Sequence, residues 1–307
     1  LALGEARRLF PSAPFLDSSR SMIFDTLISP DQLAAARKHD PALLLLDCSF
    51  ELTDLQAGQR AYDAGHIPGA FYLHLEHALS AAKTGRNGRH PLPSREAFAR
   101  TMAAMGLNAD AQVVAYDNAG GMYAARLWWM LRWAGHRQVA VLDGGIAAWK
   151  AAGHALSTDR PAQRPEGSFS LKAPLVATVS YADVRANIDG AERLVLDARA
   201  PDRFRGENET MDPVGGHIPG ARNRLFKDNL GPDGRFKAPA LLRSEFDAIT
   251  GGRPAARLIN QCGSGVTACH HVLAMEVAGL GPSTLYAGSW SEWIADRSRP
   301  IRTGAQP

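Results

Sequence analysis

The chain has 307 residues, of which 45% are hydrophobic and 21% are charged, which is the composition of a globular protein long enough for two domains. Its formal net charge is +3, with both signs mixed along the chain. It therefore has no basic stripe for nucleic acid and remains compatible with a small anionic substrate. The sequence has no apolar run of about 18 residues, so we expect no association with a membrane.

The N-terminal segment and the cysteines predict the compartment. Residues 1–21 carry several charged side chains, which does not fit the apolar core of a secretory signal. The three cysteines are too few and too scattered for a disulfide framework, so we expect a cytoplasmic protein with reduced thiols. No cysteine and histidine stand at zinc-site spacing, and the adjacent His270 and His271 would point about 100° apart on a helix. The sequence predicts neither a metal nor a cofactor.

Short apolar runs alternate with helix-like segments in the first half. The run at 43–47 ends in Asp47, and the run at 113–117 ends in Asp117. A helix is predicted over 124–133, and a glycine-rich segment follows at 143–149. This alternation is typical of α/β units built around a mainly parallel sheet.

A connector separates the two halves. Residues 157–174 contain three prolines and a glycine, a composition that favours an exposed linker. We therefore predict one domain over 22–156 and a second over 175–307.

The second half repeats the first. The sequence GHIPGA at 65–70 recurs letter for letter at 216–221, again after an apolar run that ends in aspartate, Asp197. Residues 258–262 correspond to the strand that ends at Asp117, and residues 287–293 correspond to the glycine-rich segment at 143–149. The sequence therefore predicts two copies of one domain, each a mainly parallel sheet flanked by helices.

The second copy carries a cysteine in a glycine-spaced loop. Cys262 ends a predicted strand and is followed by Gly263, Ser264, Gly265, Val266 and Thr267, where a helix is predicted to begin. The glycines allow successive backbone N–H groups to converge, and the helix N-terminus adds positive potential. A thiol held there should ionise easily, and the Ser264 and Thr267 hydroxyls are additional donors.

The equivalent loop of the first copy has a carboxylate in place of the thiol. Asp117 stands where Cys262 stands, and a carboxylate at that point would repel an anion. Ligands of open α/β sheets bind beyond the carboxyl ends of the strands, where both loops fall. We therefore predict a catalytically silent first domain that contributes a wall of the cleft.

These features resemble the rhodanese family of sulfurtransferases in its tandem two-domain form, over about 26–293. The loop CGSGVTA at 262–268 is similar to the active loop of the 3-mercaptopyruvate enzymes, whereas the thiosulfate enzymes have Arg and Lys at the positions of Gly263 and Ser264. The resemblance implies two tandem rhodanese-like domains. It also implies that Cys262 takes sulfur from a small anionic donor as a persulfide and passes it to a thiol, cyanide or protein acceptor.

Two further residues follow from the resemblance. Arg203 matches the later arginine of the family's Asp-x-Arg-x-x-x-Arg-Phe segment, which holds the donor's carboxylate or sulfonate, and a guanidinium suits that task. The alternative for Arg203 is a structural ion pair with Asp197 or Asp202. Tyr123 matches a cleft tyrosine by position, with a place in the core as the alternative.

A histidine of the first half is the last candidate. His90 resembles the histidine of a His-x-Leu-Pro segment that lines the cleft in mercaptopyruvate enzymes and acts there with the loop serine, here Ser264, and a carboxylate. His74 stands where an aspartate is expected, so Glu76 is the candidate carboxylate.

The donor and the reaction class leave alternatives. A neutral Gly-Ser loop suits 3-mercaptopyruvate better than the thiosulfate dianion. However, the family's second donor-binding arginine is missing from the stretch at 207–213, for which Arg222 or Arg224 are candidate substitutes. A phosphatase would need arginine at position 268, which is alanine. A non-enzymatic sulfur carrier remains open, and nothing in the sequence demands an assembly, so we expect a monomer.

Overall fold

The computed structural model describes residues 23–306, so the expectations for residues 1–21 lie outside it. Two five-stranded sheets are present in this range, and every pair of neighbouring strands within them is parallel. The predicted architecture of two parallel sheets flanked by helices is confirmed.

The first half forms the first sheet. Its elements are, in chain order, β1 (Leu27–Ile28), α1 (Pro30–His39), β2 (Leu44–Asp47), α2 (Ala57–Ala64), β3 (Phe71–Tyr72), α3 (Leu75–Ala78), α4 (Arg95–Ala104), β4 (Val113–Tyr116), α5 (Ala124–Trp133), β5 (Val139–Leu142) and α6 (Gly145–Ala151). The strand order is β1-β5-β4-β2-β3.

The second half repeats this arrangement. Its elements are β6 (Ala177–Val179), α7 (Tyr181–Gly190), β7 (Leu194–Asp197), α8 (Pro201–Arg205), β8 (Arg222–Asn223), α9 (Pro239–Thr250), β9 (Leu258–Gln261), α10 (Thr267–Val277), β10 (Thr284–Tyr286) and α11 (Ser289–Trp293), with 3-10 turns at Phe226–Asn229 and Ala255–Arg257. The strand order β6-β10-β9-β7-β8 matches that of the first sheet.

The local sequence explains why these elements form. The central strands β2, β4, β7 and β9 are buried at every position, as expected for strands of a parallel sheet covered by helices on both faces. Ser29 begins α1 and Ser180 begins α7 with reciprocal capping boxes, which satisfy N–H groups that the first helical turn leaves free. None of the helices in residues 23–306 combines the length and apolarity needed to cross a bilayer.

The two halves share a hydrophobic core. Helix α5 packs against α10 of the other half, and one buried cluster contains Ala125 and Trp129 from α5 together with Ala268 and Val272 from α10. Helix α5 is buried from Ala124 to Arg132 because it lies between its own sheet and the second half. This packing brings the loops that precede both helices together.

The connector is less free than its composition predicts. Most of residues 157–174 are exposed, but Phe169 is buried and its N–H donates to the Leu107 carbonyl at 3.0 Å. A Cβ on Gly167 would lie 2.0 Å from that same oxygen, so only glycine fits there. The segment is therefore a strap anchored on the first half.

Buried histidines predict how stability depends on pH. Burial lowers the pKa of His90 to about 3, that of His270 to about 4, and that of His271 well below 6.5. The unfolded chain protonates these rings as the pH falls below about 6.5, whereas the folded chain does not. The unfolded state then binds more protons, so each ring removes up to about 1.4 kcal/mol of stability per pH unit below that value.

We expect the free energy of unfolding to fall between pH 6.5 and 5 in urea titrations, since the cited pKa values of the folded state lie below this window. His271→Leu should flatten this fall, while the control His39→Gln, on an exposed residue of α1, should not. An equal slope in both variants would contradict the assignment.

Candidate active site

A cavity of about 310 Å³ lies between the two halves, at the carboxyl ends of β7 and β9. It is lined from the first half by Leu52, Arg89, Met122 and Tyr123, and from the second half by Ala198, Arg199, Ala200, Arg203, Met211, Leu225, Phe226, Lys227, Cys262, Gly263, Ser264, Val266 and Thr267. Most of the predicted site residues therefore meet in one cleft. Gly265 and His90 do not line it.

Cys262 lies at the floor of this cleft, 2% exposed, directly after β9. Its N–H donates to the Ser289 hydroxyl at 3.1 Å, and its carbonyl accepts from Trp290 at 2.9 Å. Ser289 has a φ of 54°, a left-handed conformation that is rare for a residue with a side chain. Gly145 holds the equivalent position in the first half. Serine at this strained position gives the cysteine backbone a hydroxyl acceptor.

The loop after Cys262 offers unused donors. Within the part of the chain that the structure describes, the backbone N–H groups of residues 263–268 donate to no acceptor. A row of unpaired N–H groups at the start of α10, beside a thiol, is an arrangement that favours an anion.

The first half shows what such a loop binds. The carboxylate of Asp117, at the position equivalent to Cys262, accepts from the N–H groups of Ala119, Gly121, Tyr123 and Ala124 at 2.8 to 2.9 Å. The carboxylate therefore fills the cradle itself. We predicted that this carboxylate would repel an anion at the mouth of the loop. In the structure the carboxylate instead takes up the loop N–H groups that an anion would need. In the second half the same position carries a sulfur atom.

Gly265 has a structural task in the loop. Its φ is 73°, and a Cβ at this position would lie 2.2 Å from the Ala287 carbonyl oxygen, so only glycine permits the turn. Its own carbonyl accepts from Nη1 of Arg126, a residue that does not line the cleft, at 2.9 Å.

Arg126 was not predicted from the sequence. It is fully buried on α5, and its Nη2 also donates to the carbonyls of Leu79 and His90 at 3.3 and 3.1 Å. Burial lowers the pKa of its guanidinium, and the leading charges that oppose this shift are the thiols of Cys269 and Cys262. Among residues 23–306 no carboxylate pairs with Arg126. The thiol site therefore contains a buried cation from the first half.

We expect Arg126→Met to slow alkylation of Cys262 by iodoacetamide at neutral pH about tenfold, because the variant loses the hydrogen bond that holds the Gly265 carbonyl and with it the loop that carries the thiol. Alkylation would be followed by mass spectrometry of the Cys262 peptide. Arg132→Met is the matched control, since it removes a second buried arginine of α5 that pairs with Glu276. Equal rates in the two variants would show that Arg126 acts only on folding.

A histidine stands behind the loop serine. His90 Nδ1 lies 2.8 Å from Ser264 Oγ, and His90 Nε2 lies 3.8 Å from Glu76 Oε1. Burial, followed by the charge of Arg126, lowers the pKa of His90 to about 3, so the ring is neutral. The carboxylate favours a proton on Nε2, which makes Nδ1 the acceptor of the Ser264 hydroxyl. His90 is 1% exposed and orients Ser264 without lining the cleft.

Arg203 lies in a network of charged groups beside Gly263. Its Nε donates to Glu209, and its Nη2 donates to Asp212 at 2.8 Å. Asp212 also pairs with Nη1 of Arg89, which comes from the first half. These carboxylates are the ion-pair partners of Arg203, and not the side chains of Asp197 or Asp202, which were named as partners in the alternative interpretation.

The other arginines have different tasks. Arg199 is buried against Asp197 at 2.7 Å and lies over the Trp290 ring, which makes it structural. Arg222 donates to the Ile249 carbonyl, and Arg224 pairs with Glu245. Neither of these two lines the cleft, so they are not the missing second donor-binding arginine.

The remaining predicted residues are placed as follows. Tyr123 lines the cleft and packs edge-on against Phe50. Cys269 is fully buried in α10. In residues 23–306, no three His, Cys, Asp or Glu side chains form a group able to hold a metal ion.

Comparison with known proteins identifies the family of this chain. The model of the rhodanese-like domain matches residues 29–152 and 180–296. The chain is 50% identical to a probable 3-mercaptopyruvate sulfurtransferase of Pseudomonas aeruginosa, over 91% of this chain and 98% of that protein. It is 35% identical to a thiosulfate sulfurtransferase of Bos taurus, over 89% and 93%. The crystal structure of the 3-mercaptopyruvate enzyme SseA from Escherichia coli superimposes with a TM-score of 0.74 at 32% identity, over 87% of this chain and 99% of that one.

Proposed function

The chain belongs to the rhodanese family as a two-domain sulfurtransferase, and on that premise we propose that it moves sulfur from 3-mercaptopyruvate through a persulfide on Cys262. The acceptor is a thiol, cyanide or a protein. The observation that carries the proposal is the contrast between the two loops: the same cradle holds a carboxylate in the first half and presents a thiol to the cleft in the second. The first half is the silent one.

The chemistry follows from the thiolate. Cys262 attacks the donor's sulfur, a sulfur–sulfur bond forms, and the carbon–sulfur bond breaks. Its electron pair leaves on the carbon as the enolate of pyruvate, which takes up the proton released by the donor's thiol. An acceptor thiolate then attacks the outer sulfur, the bond to Cys262 breaks, and the electron pair returns to Cys262. Backbone N–H groups at 263–268 supply preorganised donors for the charge on sulfur.

Ser264 is placed to contact the donor's thiol. It lines the cleft, and its hydroxyl donates to Nδ1 of neutral His90, so its oxygen lone pairs are free to accept a hydrogen bond from that thiol. Glu76 favours the tautomer that this arrangement requires. His90 is thus a positioning residue for Ser264.

Charge balance supports a monoanionic donor. Beside Gly263, the cations Arg89, Arg199 and Arg203 are balanced by the carboxylates Asp197, Glu209 and Asp212. Lys227 also lines the cleft and has no carboxylate partner among the described residues. Together these groups carry one net positive charge, which a donor with one carboxylate balances, whereas thiosulfate brings two negative charges into a largely apolar cleft. The loop residues Gly263 and Ser264 are neutral, which also favours the donor with one negative charge over thiosulfate.

We also propose that the protein works as a monomer in the cytoplasm. The cysteines of the described residues are all unpaired, which suits a reducing compartment. Light scattering in solution would test the oligomeric state.

Steady-state rates with 3-mercaptopyruvate and with thiosulfate, each with cyanide and with a small thiol, test the proposal. We expect a higher kcat/KM for 3-mercaptopyruvate. Mass spectrometry after donor alone should show one added sulfur atom on the Cys262 peptide. Added sulfur without turnover would indicate a carrier, and a preference for thiosulfate would overturn the choice of donor.

A further inference from the structure

Two guanidinium groups from different halves flank the residue next to the nucleophile. A Cβ built on Gly263 would lie 2.9 Å from Arg89 Nη2, and 3.7 and 3.8 Å from Nη2 and Nη1 of Arg203. Both arginines line the cleft. The space that a side chain at position 263 would take is therefore bordered by two cations.

Each of these arginines keeps donors free. Arg89 uses Nη1 for Asp212, and Arg203 uses Nε for Glu209 and Nη2 for Asp212. Among the residues with described positions, Arg89 Nη2 and Arg203 Nη1 have no hydrogen-bond partner, and these are two of the atoms nearest to Gly263. Charged donors without acceptors in a cleft favour an anionic ligand.

The backbone holds Arg89 rigidly at this point. Its N–H donates to the Ser291 hydroxyl at 2.9 Å, and the N–H of Ser291 donates to the Gly263 carbonyl at 2.9 Å. Arg89 is therefore tied to the active loop through one residue. Its position is set by the same segment that supports the Cys262 carbonyl through Trp290.

We propose that Arg89 is a donor-binding residue: with Arg203 it forms a two-arginine clamp, one arginine from each half, that holds the donor's carboxylate beside Gly263. Arg89 Nη2 and Arg203 Nη1 each donate to one carboxylate oxygen. Asp212 bridges the other ends of the two guanidinium groups and sets their spacing. The inference rests on the proposed function, since it assumes a donor whose sulfur reaches Cys262.

Glycine at position 263 leaves room for the clamp. A Cβ there would lie 2.9 Å from Arg89 Nη2, in the space where Arg89 and the carboxylate meet. The silent half thus contributes a cation to the site, in place of the arginine that the stretch at 207–213 lacks.

The test varies both the charge at position 89 and the presence of a carboxylate on the donor. We expect Arg89→Gln to raise KM for 3-mercaptopyruvate about 10- to 100-fold with kcat changed less than about threefold. With 1-mercapto-2-propanone, which lacks the carboxylate, the variant and the unaltered protein should react at equal rates. Arg86→Gln, an exposed arginine in the same loop, is the matched control and should change neither donor's KM.

The outcomes separate the two proposals. If Arg89→Gln slows both donors equally, or slows neither, the clamp is refuted and Arg89 only joins the halves. Melting temperatures of all variants identify a loss caused by unfolding, and Arg89→Lys, which keeps the charge, must then retain a lower KM than Arg89→Gln for the clamp to stand. If the unaltered protein forms no persulfide on Cys262, the proposed function itself fails.

Discussion

Cys262→Ser should abolish sulfur transfer from every donor, with a loss of about 10³-fold or more in kcat/KM. A serine hydroxyl remains protonated near neutral pH, and its oxygen cannot carry the transferred sulfur as a persulfide. The loop backbone should be unchanged, because its turn depends on Gly265 and on Ser289. The measurement is turnover with both donors, together with the mass of the peptide that contains position 262.

Cys48→Ala is the matched control for this variant. Cys48 follows β2 as Ala198 follows β7, so the repeat itself shows that the fold accepts alanine at this position. We expect its kcat/KM within about twofold of the unaltered protein. If Cys262→Ser kept its activity while Cys48→Ala lost it, the nucleophile would be in the first half and the mechanism would be wrong.

The fold was predictable because its determinants are local and repeated. Strands buried on both faces of a parallel sheet need continuous apolar runs, and β2 and β7 carry such runs before the duplicated GHIPGA. The cysteine loop was predictable for the same reason, since the thiol, both glycines and the helix start lie within six residues.

Two supports of the site, Arg126 and Arg89, come from distant parts of the chain, which is why the sequence pattern did not indicate them. Arg126 meets Gly265 across 139 positions, and Arg89 meets Ser291 across 202. Arg126 had one detectable sign: it is a charged residue inside a helix that is apolar on all sides, and such a residue needs buried partners. Arg89 had none.

The repeat contained a further sign that is visible only against the structure. The segments 143–149 and 287–293 align, and the alignment puts Ser289 opposite Gly145. Glycine is the residue expected at a positive φ, so serine there implies that its hydroxyl has a task, which is to accept from Cys262. The contrast between Asp117 and Cys262 arises in the same way, because the two copies of the domain place a carboxylate and a thiol at the same position of the loop.

Arg203→Ala is the second variant with a large expected effect. We expect a loss of about 2 to 4 kcal/mol in kcat/KM for 3-mercaptopyruvate, mainly through a higher KM. The charged cluster beside Gly263 would change from balanced to negative and would repel the donor's carboxylate. Glu209 and Asp212 would keep Arg199 and Arg89 as partners, so the 207–213 stretch should stay anchored.

Arg205→Ala provides the comparison that separates binding from folding. It also removes an arginine of α8 that pairs with a glutamate, but that pair with Glu207 is exposed and lies outside the cleft. Exposed pairs contribute little, so this variant should keep its KM and its melting temperature. An unchanged KM in Arg203→Ala would make Arg203 a structural residue. A raised KM that persists with the carboxylate-free donor would lead to the same conclusion, because a residue that binds the carboxylate affects only the donor that has one.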